Sequence, residues 1–454
     1  MKRELVDECV HCGFCLPTCP TYQLWHEEMD SPRGRIYLME QLLDGTVRLN
    51  ETVAQHFDRC LGCMACVTAC PSGVQYDRLI ELTRVHVERE IERPAGERAL
   101  RRLVFAVLPN PRRMRLALAV EPLGRRFPTP AAFRPLLDVA PPWRSSVSPA
   151  PVTRPAGAPA GRVGILTGCV QRVVFGDVNV ATARVLAADG YEVVAPRRQA
   201  CCGALAVHAG RLAEGLERAR RLIDVFEREN VDLVVTNAAG CGSNLRDYVH
   251  LLADDPRYAE RAVAFSAKVR DVSEVVSETV SETVSETVSE TRSQPGRAQR
   301  AQRHPLPLRV AFQDSCHLRN GLRVFAEPRA LISAVADFVP VEGDDSCCGS
   351  AGTYSLLRPR DSKRILAPKL DAYEAAGVDY VVTVNPGCQR QLHGNLRRRG
   401  GAVHAVHLAD LLAAAAGGRP LPRGRRWQVP QVRVDLRRRL RRRGVSGGTS
   451  GWSA

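Results

Sequence analysis

The sequence predicts a multi-domain α+β protein, with a helical cysteine-rich domain followed by two repeated α/β cysteine-rich lobes. Three observations support this fold class. The chain has 454 residues, more than one hydrophobic core usually accommodates. Eight of its cysteines fall within the first 94 residues. Residues 161–271 and 307–415 then repeat one pattern of strands, helices and cysteines, with a period of about 147 residues.

Residues 1–94 are predicted to be helical. Ser31 followed by Pro32 is a helix-start signal, and apolar residues recur at helical spacing until Gly45. A second helix is expected from Gln75 to about Glu92. No alternating strand pattern occurs in this region, so we expect no sheet there.

Two copies of one cysteine motif lie in this domain, each with two, two and three intervening residues before a Cys-Pro pair. This run is typical of proteins that bind two [4Fe–4S] clusters, in which three thiolates hold one cluster and the fourth holds the other. Zinc sites typically show paired Cys-x2-Cys units instead, so iron–sulfur is favoured over zinc or disulfides. We therefore predict one cluster on Cys9, Cys12, Cys15 and Cys70, and a second on Cys60, Cys63, Cys66 and Cys19.

Residues 95–160 are basic at first and then rich in proline and alanine. Short helices are expected within Val104–Val120, and Pro141–Gly161 is expected to be a linker.

The two repeated units each begin with a short apolar strand that runs into a cysteine. Each continues through a helix and a strand to a Cys-Cys-Gly sequence, and then through a helix and a strand to a Gly-Cys pair. Strand–helix–strand alternation favours parallel α/β lobes, with the cysteines at the carboxyl ends of the strands.

The cysteines of these units form two sets of four, at Cys169, Cys201, Cys202 and Cys241, and at Cys316, Cys347, Cys348 and Cys388. Two matching sets on loops after strands are hard to explain as core packing. The spacing indicates a metal or redox role, and leaves open a cluster in each copy, a single shared cluster, or labile thiols.

Two segments are expected to be disordered. Residues 272–306 contain Val-Ser-Glu-Thr repeated four times, a polar, acidic tract without a packable face. Residues 416–454 form an Arg-rich tail, with eleven arginines and one aspartate between positions 419 and 443. This tail supplies most of the net charge of +15, so the basic balance of the whole chain does not indicate a nucleic-acid-binding surface.

Cysteine usage and hydropathy indicate a reducing compartment. Met1–Glu8 is charged and no stretch of about 18 apolar residues occurs, so neither a signal segment nor a transmembrane helix is predicted. We expect a cytoplasmic protein, free or at the cytoplasmic face of the membrane, with thiolates that bind metal. The basic tail is a candidate for peripheral contact with an anionic membrane.

Several stretches resemble the iron–sulfur subunit of glycolate oxidase, also called glycolate dehydrogenase. They are Cys9–Cys15 with Cys19-Pro-Thr-Tyr-Gln, Ser31–Leu38, Asp58–Cys63, Cys70–Val74 and Cys347–Tyr354. The first domain also resembles the helical ferredoxin domain of succinate dehydrogenase-type subunits. The repeats resemble the cysteine-rich (CCG) domains of heterodisulfide reductase, but Asn244 and Gln391 replace the last cysteine of that pattern.

The resemblance implies an oxidoreductase subunit that relays electrons from FAD-containing partners, which oxidise glycolate, towards a membrane quinone. The chain itself shows no Gly-x-Gly-x-x-Gly after a strand, and hence no dinucleotide site. Electrons must therefore reach it from another protein, and no catalytic residue is assigned to it.

Alternative hypotheses assign a different electron donor or a different kind of reaction to this chain. Lactate and glycerol-3-phosphate dehydrogenases use similar subunits, and a thiol–disulfide enzyme is a second class. A nucleic-acid-binding iron–sulfur sensor is disfavoured because the sequence contains no recognisable nucleic-acid-binding domain. Among weaker candidates, His317 is a possible ligand beside Cys316, His11 is expected only to border a cluster, and Arg33 and Arg35 are expected to be structural.

Overall fold

Helices, with one short 3₁₀ turn at Glu28–Asp30, build the first part of the computed structural model, which describes residues 2–124, 147–278 and 302–421. The prediction of a helical first domain is confirmed. The helices are α1 (Arg3–Asp7), α2 (Pro20–Trp25), α3 (Pro32–Leu43), α4 (Glu51–Arg59), α5 (Ala65–Ala69), α6 (Tyr76–Glu90), α7 (Ala95–Val107) and α8 (Pro111–Gly124).

Helix α3 begins where the sequence signal places it. The Ser31 hydroxyl accepts a hydrogen bond from the Gly34 amide at 2.9 Å, and Pro32 occupies the first helical turn, where its missing N–H is not needed. Gly34 lets the helix approach the preceding turn, because a Cβ there would lie 1.9 Å from the Glu28 carbonyl oxygen. This close approach brings Arg35 into the core of the domain.

The first α/β lobe contains a five-stranded sheet with the order β1-β3-β2-β4-β5. Only β1 is antiparallel to its neighbour. The strands are β1 (Val152–Thr153), β2 (Gly161–Leu166), β3 (Tyr191–Val194), β4 (Leu233–Thr236) and β5 (Val269–Asp271). The helices are α9 (Val170–Val174), α10 (Gly176–Ala188), α11 (Ala204–Val207), α12 (Leu212–Arg228), α13 (Ala239–Arg246), α14 (Tyr248–Leu251) and α15 (Ala259–Ala267).

The second lobe contains a four-stranded, fully parallel sheet with the order β7-β6-β8-β9. The strands are β6 (Arg309–Phe312), β7 (Asp337–Phe338), β8 (Tyr380–Thr383) and β9 (His404–His407). The helices are a π-helical turn (His317–Leu322), α16 (Ala326–Val335), α17 (Tyr354–Leu357), α18 (Pro359–Ala375), α19 (Pro386–Arg399) and α20 (Leu408–Ala415).

The two lobes are structural copies of each other. If β2 is matched with β6, the four parallel strands of the first sheet have the same order as those of the second. Buried side chains of both sheets, including Ile165, Val235, Phe312 and Val382, belong to one hydrophobic core. The Ala239 amide also donates to the Val384 carbonyl at 3.0 Å across the lobes. The internal repeat read from the sequence therefore corresponds to two lobes that pack as a pair.

The boundaries of the predicted linkers differ from the structure. Within residues 95–160, helices α7 and α8 cover residues 95–124 and β1 joins the first sheet, while residues 125–146 lie outside the described residues. The predicted linker 272–306 is also too long at both ends. Residues 272–278 are helical, and Val272, Val275 and Val276 are fully buried. On the other side Arg303 forms an ion pair with Asp189 at 2.6 Å.

Val272, Val275 and Val276 belong to the core that the two lobes share, and Arg303 is held by its ion pair. Residues 279–301, which include the rest of the Val-Ser-Glu-Thr tract, lie outside the described residues, as does the Arg-rich tail from residue 422.

Candidate functional site

Two cavities in the helical domain are each lined by one of the predicted cysteine quartets. Cys66 also borders the first quartet's cavity. The structure therefore brings together residues that are far apart in sequence, including the exchanged fourth cysteine of each motif. One cavity is lined by Cys9, Cys12, Cys15 and Cys70, and the other by Cys19, Cys60, Cys63 and Cys66.

Helix ends and left-handed glycines hold these thiols in place. Cys19 directly precedes α2 and Cys70 directly follows α5, so each exchanged cysteine is fixed by a helix terminus. Gly13 and Gly62 have φ angles of +89° and +61°, which other residues rarely adopt. The Gly62 amide points at the Cys60 sulfur at 3.4 Å.

The two quartets differ in exposure. Cys12 is exposed and Cys9 and Cys15 are half-buried, whereas Cys60 and Cys63 in the second quartet are buried. Burial raises the pKa of Cys9, of Cys15 and, more strongly, of Cys63, because it disfavours the thiolate. Cysteine binds iron as the thiolate, so a cluster held by these residues would supply the charge that compensates for their burial.

A buried charge network lies beside the second quartet. Arg35 is 1% exposed and donates to the His56 carbonyl at 2.6 Å and to the Thr21 hydroxyl at 3.2 Å. Thr21 Oγ1 lies 3.2 Å from the Cys19 sulfur. The fully buried Asp30 carboxylate contacts Arg35 at 3.5 Å, Arg59 at 2.6 Å and His56 Nδ1 at 2.9 Å. Two guanidinium groups and one carboxylate leave net positive charge next to Cys19.

This positive charge acts on Cys60. Burial alone would raise the pKa of the Cys60 thiol. The guanidinium groups of Arg35 and Arg84, together with hydrogen bonds from the Gly62 amide and the Tyr76 hydroxyl, outweigh it, and the pKa is lowered. Arg35 was expected to be structural, and it is. It also provides a fixed cation beside a thiol of the second quartet.

In the first lobe, the four cysteines follow three adjacent parallel strands. Cys169 follows β2, Cys201 and Cys202 follow β3, and Cys241 follows β4, as the strand pattern predicts. The Cys169 and Cys201 sulfurs are 3.4 Å apart. Hydrogen bonds from Cys169 and Cys202 lower the pKa of Cys201 well below its usual value.

The second lobe repeats this arrangement. The Cys348 and Cys388 sulfurs are 3.1 Å apart, and hydrogen bonds from Cys316 and Cys348 lower the pKa of Cys347 well below its usual value. In both lobes, therefore, the first cysteine of the Cys-Cys pair is the one that favours the thiolate.

Asn244 and Gln391 make hydrogen bonds at the positions where the heterodisulfide reductase pattern has a cysteine. Asn244 donates to the Cys202 carbonyl at 2.9 Å, and Gln391 donates to the Ser362 hydroxyl at 2.7 Å. Each lobe thus keeps four thiols, and the fifth ligand position is occupied by an amide that contributes to the fold.

The second lobe lies directly against the second quartet. Cys63 and Cys347 belong to one apolar cluster, and Cys316 packs against it. Asn320 in the π-helical turn makes two hydrogen bonds between the second lobe and the helical domain. Its amide donates to the Cys63 carbonyl at 3.0 Å, and its oxygen accepts from the Thr68 hydroxyl at 3.3 Å. The pairing of Cys63 with Cys347 crosses most of the chain and was not predicted from the sequence.

Four further residues beside these thiols were not singled out by the sequence. His208 lies six residues after Cys202, and its ring centroid is 5.2 Å from that of His317. The Arg84 guanidinium donates to the His208 carbonyl at 2.9 Å and so joins the helical domain to the first lobe. Tyr354 and Asn320 complete the set, and only their closeness to Cys347 and Cys316 in sequence would have marked them.

The donor chemistry fits iron–sulfur clusters. All sixteen cysteines lie among the described residues and none is in a disulfide. No three His, Cys, Asp or Glu side chains of the described part of the chain are placed to hold a single metal ion. The thiols of the helical domain instead surround two cavities, which is the arrangement that a group of several atoms requires.

Comparison with protein families agrees with the division into one helical cluster domain and two cysteine-rich lobes. A 4Fe-4S dicluster domain matches residues 5–74, and a Cysteine-rich domain matches twice, at residues 163–246 and 310–393.

Three relatives cover much of the chain. The "Probable glycolate oxidase iron-sulfur subunit" of Bacillus subtilis (strain 168) is 39% identical over 91% of this chain and 96% of its own length. The "Glycolate oxidase iron-sulfur subunit" of Escherichia coli (strain K12) is 35% identical over 86% of this chain and 90% of its own length. "Lactate utilization protein A" of Exiguobacterium sp. (strain ATCC BAA-1283 / AT1b) is 27% identical over 55% of this chain and 96% of its own length.

Among the described helices, none combines the length and the apolar composition needed to cross a bilayer.

Proposed function

The chain belongs to the family of glycolate oxidase iron–sulfur subunits, and on that premise we propose that it carries electrons within a glycolate dehydrogenase complex. In this proposal a FAD-containing partner oxidises glycolate to glyoxylate and passes the electrons to this chain. The observation that carries the proposal is that each complete cysteine quartet lines its own cavity, next to a second thiol-rich site.

Each quartet would hold one [4Fe–4S] cluster, a group that exchanges single electrons when bound. The fit of this chain's own residues supports the assignment. The swapped Cys19 and Cys70 tie the two motifs together, and the Arg35 and Arg84 cations offset the negative charge that thiolates bring into a buried site.

The exposed quartet is the natural entry point for electrons. Val10 and Phe14 are 68% and 67% exposed on the loop that carries Cys9, Cys12 and Cys15. Tyr37 is 46% exposed, and its ring centroid lies 6.4 Å from that of His11 on the same loop. Large apolar side chains around a redox site are typical of a partner-binding surface. We place the flavoprotein contact at this loop.

A charge placed in this loop tests the contact. We expect Phe14→Glu to slow glycolate-dependent reduction of the chain at least tenfold, because a charge buried in an apolar interface costs more than about 1.4 kcal/mol. Stopped-flow reduction of the assembled complex measures the rate. Val263→Glu is the matched control, since Val263 is 53% exposed on α15 and belongs to the first lobe.

Unchanged rates in Phe14→Glu, with unchanged iron content, would place the donor elsewhere.

The second lobe is the candidate for the next redox site. Its Cys316 and Cys347 pack against the Cys63 loop of the second quartet, and Cys347 favours the thiolate. We propose that this lobe holds a further iron–sulfur cluster or a redox-active thiol pair. The first lobe, with Cys169, Cys201, Cys202 and Cys241, is the candidate for a similar centre.

Lactate is the alternative substrate of the partner, because Lactate utilization protein A is among the relatives. Purification of the native complex without oxygen decides between the two substrates. We expect flavin on separate polypeptides, and reduction of this chain by glycolate rather than by lactate or glycerol 3-phosphate. Absence of a co-purifying flavoprotein, together with no glycolate-dependent reduction, would refute the proposed function.

The electron acceptor and the location complete the proposal. We infer that the electrons leave towards a quinone or another membrane acceptor, and that the complex works in the cytoplasm or at the cytoplasmic face of the membrane.

A further inference from the structure

A cavity of about 180 Å³ lies where the helical domain and both lobes meet. Its wall includes Cys60 and Arg84 from the helical domain, His208 from the first lobe, and His317 and Tyr354 from the second. Because Cys60 belongs to the second quartet and His317 adjoins Cys316, a molecule in this cavity would lie beside two thiol sites at once.

Two imidazole rings face each other in the wall. His208 Nδ1 lies 2.7 Å from the Glu81 carboxylate, and His317 Nδ1 lies 3.4 Å from the Cys316 sulfur. Each ring is therefore held through one nitrogen. The other nitrogen, Nε2, is buried in both rings and has no hydrogen-bond partner.

Further polar atoms of the same wall are also buried without a partner. Tyr354 is 7% exposed, and its hydroxyl makes no hydrogen bond. The Nε atom of Arg101 also makes no hydrogen bond, although the terminal nitrogens of its guanidinium pair with Glu88 and Glu97. Unpaired buried polar atoms are costly, and several around one cavity point to a ligand with hydrogen-bonding oxygens.

The charges of the wall are largely paired with one another. Asp58, Glu88 and Glu97 line the cavity together with Arg93, Arg101 and Arg358, and each of these carboxylates forms ion pairs with these arginines. Leu61, Leu205 and Leu357 provide apolar surface between the polar groups. A neutral, flat molecule with oxygens at its edge can use the unpaired polar atoms and the apolar surface while these ion pairs stay in place.

We propose that this cavity binds the head group of a quinone, which takes electrons from the iron–sulfur sites of the chain. The inference rests on the proposed function, to which it adds the place where electrons leave. The Tyr354 hydroxyl would donate a hydrogen bond to one quinone oxygen, and the His208 and His317 Nε2 atoms would bond to the quinone or quinol oxygens.

The reaction balances with groups already named. The quinone accepts two electrons, one at a time, from the reduced iron–sulfur sites, which are thereby reoxidised. It also takes two protons from water, one on each carbonyl oxygen, and leaves as the quinol. Water reaches the cavity at His208, whose side chain is 33% exposed.

Tyr354→Phe is the test variant, because it deletes a hydroxyl that has no partner in the protein. The holo complex is reduced with dithionite, freed of excess reductant and mixed with decylubiquinone, and reoxidation is followed by visible absorbance. We expect the half-saturating quinone concentration to rise about 5- to 10-fold, the effect of one lost hydrogen bond. His208→Gln should give a similar rise.

Tyr258→Phe is the matched control, because its hydroxyl pairs with Asp224 in the first lobe and does not line the cavity. We expect it to saturate like the wild type, with equal iron content in all three variants. Wild-type saturation by both Tyr354→Phe and His208→Gln would overturn the proposal. Competition by oxalate that both variants relieve, without any change in quinone saturation, would also overturn it and identify an acid site.

Dithionite replaces the natural donor in this experiment, so its result does not depend on glycolate. A complex that glycolate fails to reduce, but that decylubiquinone reoxidises in a Tyr354-dependent way, would refute the proposed function and keep the quinone site.

Discussion

Cys19→Ala is expected to remove the cluster of the second motif, although Cys19 belongs to the first motif in sequence. Its thiol lines the cavity of Cys60, Cys63 and Cys66. A cubane cluster with three protein ligands is labile, so we expect the variant to lose about four of eight irons in the helical domain. Electron transfer to the acceptor should fall to background. Iron analysis with EPR after dithionite reduction measures the loss.

Cys70→Ala is the reciprocal variant. Cys70 lines the cavity of Cys9, Cys12 and Cys15, so the remaining EPR signal should be that of the buried cluster. The two variants should therefore leave different spectra. If instead Cys19→Ala spares the second-motif signal and abolishes the first, each motif binds its own cluster and the exchange of the fourth ligand is refuted.

Arg35→Met is expected to affect both stability and reduction potential. It leaves the buried Asp30 carboxylate with Arg59 and the His56 ring, and it removes the donors to Thr21 and to the His56 carbonyl. Breaking a buried pair costs about 3–5 kcal/mol, and we expect the lower end because Arg59 remains. Chemical denaturation of the anaerobic holoprotein measures this loss.

The same substitution removes a positive charge beside Cys60 and Cys19. Charges about 8 Å apart interact by about 2 kcal/mol at an effective dielectric constant of about 20. Because the reduced cluster is the more negative form, its potential should fall by on the order of 80 mV. An EPR-monitored redox titration separates this effect from a purely structural one.

Arg33→Gln is the matched control on the same helix. Arg33 is 31% exposed and pairs one-to-one with Glu28, so its loss should cost less than about 1 kcal/mol. It should leave the second-motif potential unchanged. Equal potentials in Arg35→Met and the wild type would show that the buried charge network only supports the fold.

Local sequence patterns predict those parts of this protein in which chemistry fixes the spacing between residues. The intervals between Cys9 and Cys19 predict a cluster motif because cubane ligation needs them, and the Ser31-Pro32 pair predicts the start of α3. The repeated lobes were visible because strands, helices and cysteines recur in the same order.

Contacts between domains were not predictable from the same patterns. Nothing near Cys63 in the sequence indicates that Cys347 packs against it, and nothing near Cys202 marks His208 as a neighbour of His317. The linker boundary at residue 272 was misplaced for a related reason. Val272, Val275 and Val276 were assigned to the predicted linker because they adjoin the polar repeat, but they belong to the hydrophobic core that the two lobes share.

The content of iron and acid-labile sulfide in anaerobically purified protein, measured together with EPR, shows whether the amino-terminal thiols hold two clusters. We expect at least about eight irons and eight sulfides per chain, with two reducible clusters whose signals interact. Higher values would place further clusters in the lobes. Colourless protein without iron, or protein that contains only zinc on the amino-terminal thiols, would contradict this expectation.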